Sequence, residues 1–116
     1  MSDVVVTVPK DFGLREWIAE GDAAGEPYTG KEWGFRCGGP APTIAPGERV
    51  YIVCNNRLRG YAPLVRLAWY GNRGSFVRGG GAVAVTLGFP IVGFRGWKYR
   101  WWDRAEERPF PDWRTP

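Results

Sequence analysis

The sequence predicts a mainly β fold of the α+β class, many short strands accompanied by one N-terminal helix. Three observations predict it. Glycine and proline, 17 and 10 of them, are spread along the whole chain and punctuate it too often for a helical bundle. Runs such as "ERVYIVC" carry the period of two that belongs to strands. Turn signals recur at short intervals, at "CNNR", "GNRG" and "RGGG". A chain of 116 residues suffices for one compact domain, residues 1–116, with a core that needs no metal or disulfide staple.

The elements follow in order. "DVVVTVP" is short, β-branched and closed by Pro9, which makes it a first strand. In "KDFGLREWIAEG" Asp11 can accept hydrogen bonds from free amides as an N-cap. Leu14, Trp17 and Ile18 then share a face, and Gly21 suits the left-handed stop, so a short helix is expected to seal one side or end of a sheet. "GDAAGEPYTGKEWG", residues 21–34, is expected to be a long turn-rich connection of the kind that serves a site. After the Pro- and Gly-rich "FRCGGPAPTIAPG" comes the strand "ERVYIVC", with Val50, Ile52 and Cys54 on one side and Arg49, Tyr51 and Val53 on the other. Asn55 and Asn56 tolerate positive φ and predict a hairpin turn into "RLRGYAPLVRLAWYG", where Pro63, lacking an amide donor, requires an edge or a bulge. A strand around Phe76, another in "AVAVTL", and one over residues 93–102 complete the sheet, while Phe110 and Trp113 in the tail are expected to pack back on the domain.

The net charge of +4 and the pI of 9.4 conceal a lopsided distribution. Residues 1–48 are net negative. From Arg49 through Trp102 the cations are Arg49, Arg57, Arg59, Arg66, Arg73, Arg78, Arg95, Lys98 and Arg100, and there is no acid. A GC-rich coding sequence explains arginine in place of lysine, but it does not explain the loss of acids over so long a span. The block is therefore expected to project a positive field toward phosphate-bearing partners.

"GFRGWKYRWW", residues 93–102, concentrates both features. As one strand it would send Arg95, Trp97, Tyr99 and Trp101 one way and Phe94, Lys98, Arg100 and Trp102 the other. Either face would then set cations beside rings, as nucleic-acid sites do when rings stack on bases and cations neutralise phosphates. Seven tryptophans in a domain of this size also belong largely to a core, and Trp97 and Trp101 are expected to be at least partly buried.

Several functions are disfavoured. The chain has no histidine, and Cys37 and Cys54 do not have zinc-ligand spacing, so no metal or other cofactor is expected. Asp3 stands where a signal peptide would be basic, and the apolar run after it is too short to span a bilayer. A cytoplasmic protein with reduced thiols and no membrane partner is expected.

Strand, helix, long loop and then the hairpin-rich run with "PGERVYIV" and "RGYAPLVRLAW" resembles the PUA-like superfamily, especially its ASCH and EVE branches. The similarity covers residues 4 to 101 and rests on order and short patterns. It implies a small pseudo-β-barrel with the N-terminal helix covering it and RNA or a modified base bound between them. "TGKEWGFR" resembles the lysine-bearing ASCH loop and the strand after it through Lys31, Glu32 and Arg36. One ASCH subgroup hydrolyses acylated cytidine nucleosides with a lysine, a following threonine and a glutamate; here Thr29 precedes Lys31 and Gly34 stands at the threonine's place.

The leading expectation is a module that binds RNA or single-stranded or modified DNA. Arg36, Arg57, Arg59, Arg66, Arg95, Lys98 and Arg100, with Lys31, would hold phosphates, and Tyr28, Trp33, Tyr61, Trp69 and Trp97 would supply stacking rings. One alternative is a small amidohydrolase acting on a modified nucleoside through Lys31 and Glu32. Those two residues read more blandly as an exposed ion pair. A second alternative is a protein-binding, inhibitor-like module of a mobile element, since Arg, Trp and Tyr also anchor protein interfaces.

Overall fold

The computed structural model describes residues 2–7, 39–79 and 83–109, together with the backbone of 32–36. The strands are β1 (Val4–Thr7), β2 (Glu32–Arg36), β3 (Arg49–Cys54), β4 (Arg57–Tyr70), β5 (Arg73–Arg78), β6 (Val85–Thr86), β7 (Trp97–Tyr99) and β8 (Arg108–Pro109). Six of them form one sheet in the order β2-β5-β4-β3-β1-β7, and β6 and β8 pair as a separate ribbon. The expected mainly β class holds. Among the described residues the helical structure is one 3-10 turn, Arg104–Glu106. The helix expected over residues 10–21 lies outside them, as do Tyr28, Lys31, Cys37, Phe110 and Trp113.

The sheet curls because β4 serves two halves of it. Residues 57–63 of this long strand pair with β3, and residues 64–70 pair with β5. The register shifts between Leu64 and Arg66, one residue after Pro63, so the proline sits beside a bulge as its missing amide requires. A bulge bends its strand and increases the twist. The result is that Phe76 of β5 and Trp97 of β7 meet with ring centroids 6.5 Å apart, although β4, β3 and β1 lie between their strands. In a flat sheet four strand spacings would hold them about 19 Å apart.

Both faces of the central strands are buried, in alternation. Val4, Val6, Val50, Ile52 and Cys54 join Leu64 and Phe76 inside the curl. Val5, Tyr51, Val53 and Leu58 form a second core on the opposite face, covered by Leu87, Ile91 and Trp102 from the C-terminal part of the chain. Valine suits these positions because its branched side chain packs on the pleat from either face.

Three expectations need correction. Residues 32–34, placed in the long connection, belong to β2, which pairs antiparallel with β5 from Glu32↔Val77 to Arg36↔Arg73. "AVAVTL" forms a bridge at Val83 opposite Tyr61 and only the two-residue β6, because its backbone leaves β4 to pair with β8. Residues 93–102 are a strand only at Trp97–Tyr99. A bend at Arg95–Gly96, with Gly96 at φ +74°, breaks the extended chain before it.

Candidate functional site

Among the described residues, a hollow lined by polar side chains lies at the tip of the β3–β4 hairpin. Asn55 and Asn56 have φ of 54° and 58°, the left-handed pair that a two-residue type I′ turn demands. The turn then becomes an anchor. The Asn56 carbonyl accepts the Ile91 amide at 3.0 Å, and its side-chain Oδ1 accepts the Gly93 amide at 3.3 Å. These bonds fasten loop 88–93 to the hairpin, with Ile91 turned into the second core and Phe89 left 43% exposed.

Between this loop, the hairpin tip and the β6–β8 ribbon lies an open groove of about 650 Å3. That size is in the range of roughly 300–1,000 Å3 typical of small-ligand sites. Thr86 Oγ1 accepts Arg57 Nε at 3.2 Å, and Arg108, its register partner on β8, borders the same groove. Arg108 lies over Gly88, where a Cβ would stand 3.4 Å from the guanidinium carbon, an ordinary contact. Among the described residues no carboxylate lines the groove.

The acid nearest in sequence, Glu107, is turned inward. Consecutive residues of extended backbone project to opposite sides, so Glu107 enters the protein while Arg108 borders the groove. Glu107 Oε2 accepts the Tyr51 hydroxyl at 2.5 Å and Trp102 Nε1 at 2.9 Å, and Oε1 meets Arg49 NH1 at 3.1 Å. Burial first, and then this carboxylate, push the Tyr51 hydroxyl well above the usual phenol range, so it remains a neutral donor. Arg49 also lies 4.0 Å from the centroid of the Tyr61 ring.

Those expected site residues whose side chains are described are not brought to one place. Arg57 lines the groove; Arg66 is exposed on β4 and Trp69 is 44% exposed near that strand's far end. Arg59 is buried, and Tyr61 is half-buried with its ring 5.2 Å from that of Tyr51. Glu32, Trp33 and Arg36 occupy β2 at the edge of the sheet. Arg100 binds Asp3, its Nε 3.1 Å from Oδ2, and also donates to the Trp102 carbonyl. Asp3 receives Arg104 NH2 at 2.7 Å and the Arg49 amide at 2.9 Å as well. Burial alone would raise the Asp3 carboxyl, but these donors outweigh it and hold it below the usual carboxylate range.

"GFRGWKYRWW" divides. Trp97 packs inward against Phe76, and Trp102 is 4% exposed. Arg95 and Lys98 are exposed, and Trp101 is 51% exposed. Trp101 lies beside Phe94 rather than on the Trp97 side, because the alternation of β7 ends at Tyr99.

Sequence reasoning missed Phe89 and Arg108. Phe89 falls between the strand expected in "AVAVTL" and the one expected over residues 93–102, and Arg108 stands among the acids of "EERP", outside the acid-free block. The usable signal was alternation across Glu107 and Arg108 in extended backbone. Chemically, the guanidinium, amide, hydroxyl and phenyl groups of the described lining can bind an anion and stack a flat ring. Among the described residues no group of three or more acids, cysteines or histidines could hold a metal ion, and no helix is long and apolar enough to cross a membrane. Comparison with family models, with curated proteins and with solved structures found no match to this chain.

Proposed function

We propose that the chain is a nucleic-acid-binding module of PUA-like type that takes RNA or single-stranded or modified DNA at the hairpin-tip groove. Arg57 and Arg108 hold phosphate oxygens, Phe89 stacks on a base, and the side-chain amides of Asn55 and Asn56 contact base edges or sugar. The observation that carries this reading is that Arg57 and Arg108 border one groove, with no carboxylate among the described residues that line it. Guanidinium forks match phosphate geometry and can take its oxygens two at a time. The curled, mainly β sheet supports a pseudo-barrel of PUA-like type as the scaffold.

The test is fluorescence anisotropy with labelled single-stranded RNA and DNA across a salt series. Affinity should fall steeply as salt rises, and Arg57→Ala and Arg108→Ala should each weaken binding to all sequences and lower the logarithmic salt slope by about one. Absence of binding at low salt overturns the proposal.

A further inference from the structure

We propose that Phe94, Arg95, Lys98 and Trp101 form a second base-stacking subsite, so that the ligand is a single strand running from the hairpin-tip groove along loop 88–93 to Trp101. This rests on the groove reading above and names the form of nucleic acid that it serves.

The patch has what a base platform needs. Trp101 keeps half of its surface open, while its ring is fixed from behind by Trp102, centroids 5.0 Å apart, and from the side by Phe94 at 6.3 Å. Trp102 is in turn held by Glu107, so little side-chain freedom is left to lose on binding. Lys98 Nζ stands 4.7 Å from the Phe94 centroid and 6.0 Å from that of Trp101, which sets an ammonium at the rim of the exposed ring. Arg95 is exposed at the adjoining bend.

Charge and connectivity join the patch to the groove. Residues 88–102 contain no acid. Asp103 and Glu106, the next acids, are engaged in the cap of the 3-10 turn, where Asp103 Oδ1 accepts the Ala105 amide at 2.9 Å and Glu106 accepts the Asp103 amide at 3.3 Å. Asn56 lines the groove and also binds Gly93, the residue before Phe94. Phe89 and Phe94 are thus ends of one anchored loop, at most about 17 Å apart along the chain. A strand of a few nucleotides covers that span. A duplex does not fit the arrangement, because its bases are stacked on each other and offer no open face to Phe89 or Trp101.

The experiment uses the full chain and fluorescein-labelled oligo-U and oligo-dT from dinucleotide to decanucleotide, with a duplex as comparison. Affinity should climb with length to about four to six nucleotides, the low end of site sizes for small β domains, and then level off. Trp101→Ala should weaken decanucleotide binding about 5- to 150-fold while leaving the dinucleotide unaffected, and Trp101→Phe should restore most of the loss. Lys98→Gln, a surface change that leaves the ring packing intact, should weaken the longer oligomers and reduce their salt slope by about one. If Arg57→Ala and Arg108→Ala lower affinity but Trp101→Ala and Lys98→Gln leave the decanucleotide within twofold, the second subsite is refuted and the groove stands. Equal affinity for duplex and single strand refutes the single-strand assignment. Failure of the unmodified chain to bind any oligomer removes the groove reading and this proposal together.

Discussion

The Tyr51 hydroxyl donates to Glu107 at 2.5 Å, joining β3 at the centre of the sheet to the residue before β8. Trp102 and Arg49 bind the same carboxylate, so one acid ties the C-terminal segment to the second core. Glu107→Ala leaves three polar groups without that partner and should cost about 3–5 kcal/mol in urea unfolding. Glu107→Gln keeps the shape and can still accept from one donor, so it should cost less. A loss below about 1 kcal/mol for the alanine variant would mean that water replaces the carboxylate.

Asp3 predicts an acid limb. Its folded carboxyl titrates below the unfolded value of about 3.9, so in acid the unfolded chain binds more protons than the folded one. The contribution is whole above that unfolded value and is lost as pH falls through the folded one. Asp3→Asn should be less stable at neutral pH by about 3 kcal/mol, and its urea midpoint should vary less between pH 5 and pH 2 than that of the unmodified chain. Parallel curves would show that other carboxylates carry the acid limb.

The contact of Phe76 with Trp97 predicts the cost of opening the curl. Phe76 is fully buried, and its removal leaves Trp97, Leu64 and Ile52 around a void. Phe76→Ala should destabilise by about 3–5 kcal/mol, whereas Trp69→Ala, at a half-exposed ring, should cost less than Phe76→Ala. Comparable losses would show that the far end of β4 is packed as firmly as the centre.

What could be read in the sequence was local. The two faces of β3 and the type I′ turn at Asn55–Asn56 follow from side-chain period and backbone tolerance, and both appear as expected. Pro63 required an edge or a bulge but could not say which, nor that β4 would divide its pairing there, because that depends on which strands come to lie beside it. Charge was legible as composition and not as placement. Arg49 meets Glu107, Arg100 meets Asp3, and Arg59 and Arg78 are buried, so four of the nine cations of the acid-free block are bound up in the fold. The 93–102 stretch failed for a related reason: its alternation holds only from Trp97 to Tyr99, and the bend at Gly96 decides the rest.

Asn56 supports the groove twice, through its backbone conformation and through the bond from Gly93. Asn56→Gly keeps the positive φ and loses the side-chain bond; Asn56→Ala loses both. The glycine variant should retain its melting temperature within a few degrees yet bind oligonucleotides more weakly, because loop 88–93 is released at one of its two anchors. The alanine variant should also be less stable by about 1–2 kcal/mol. Equal binding by the glycine variant would show that the Ile91 amide bond alone fixes the loop.

Gly88 separates the position of Arg108 from its charge. A Cβ at Gly88 would touch the guanidinium at ordinary contact distance, 3.4 Å, so Gly88→Ala should be tolerated. The branched side chain of Gly88→Val requires more room, and the flexible end of Arg108 is the group that can yield. Gly88 is exposed, so folding stability should hardly change. Oligonucleotide affinity should fall toward that of Arg108→Ala, and the salt slope should drop by up to about one although the charge is still present. If Gly88→Val binds as the unmodified chain does, Arg108 does not act from the place it occupies beside Gly88, and the phosphate contact assigned to it belongs elsewhere.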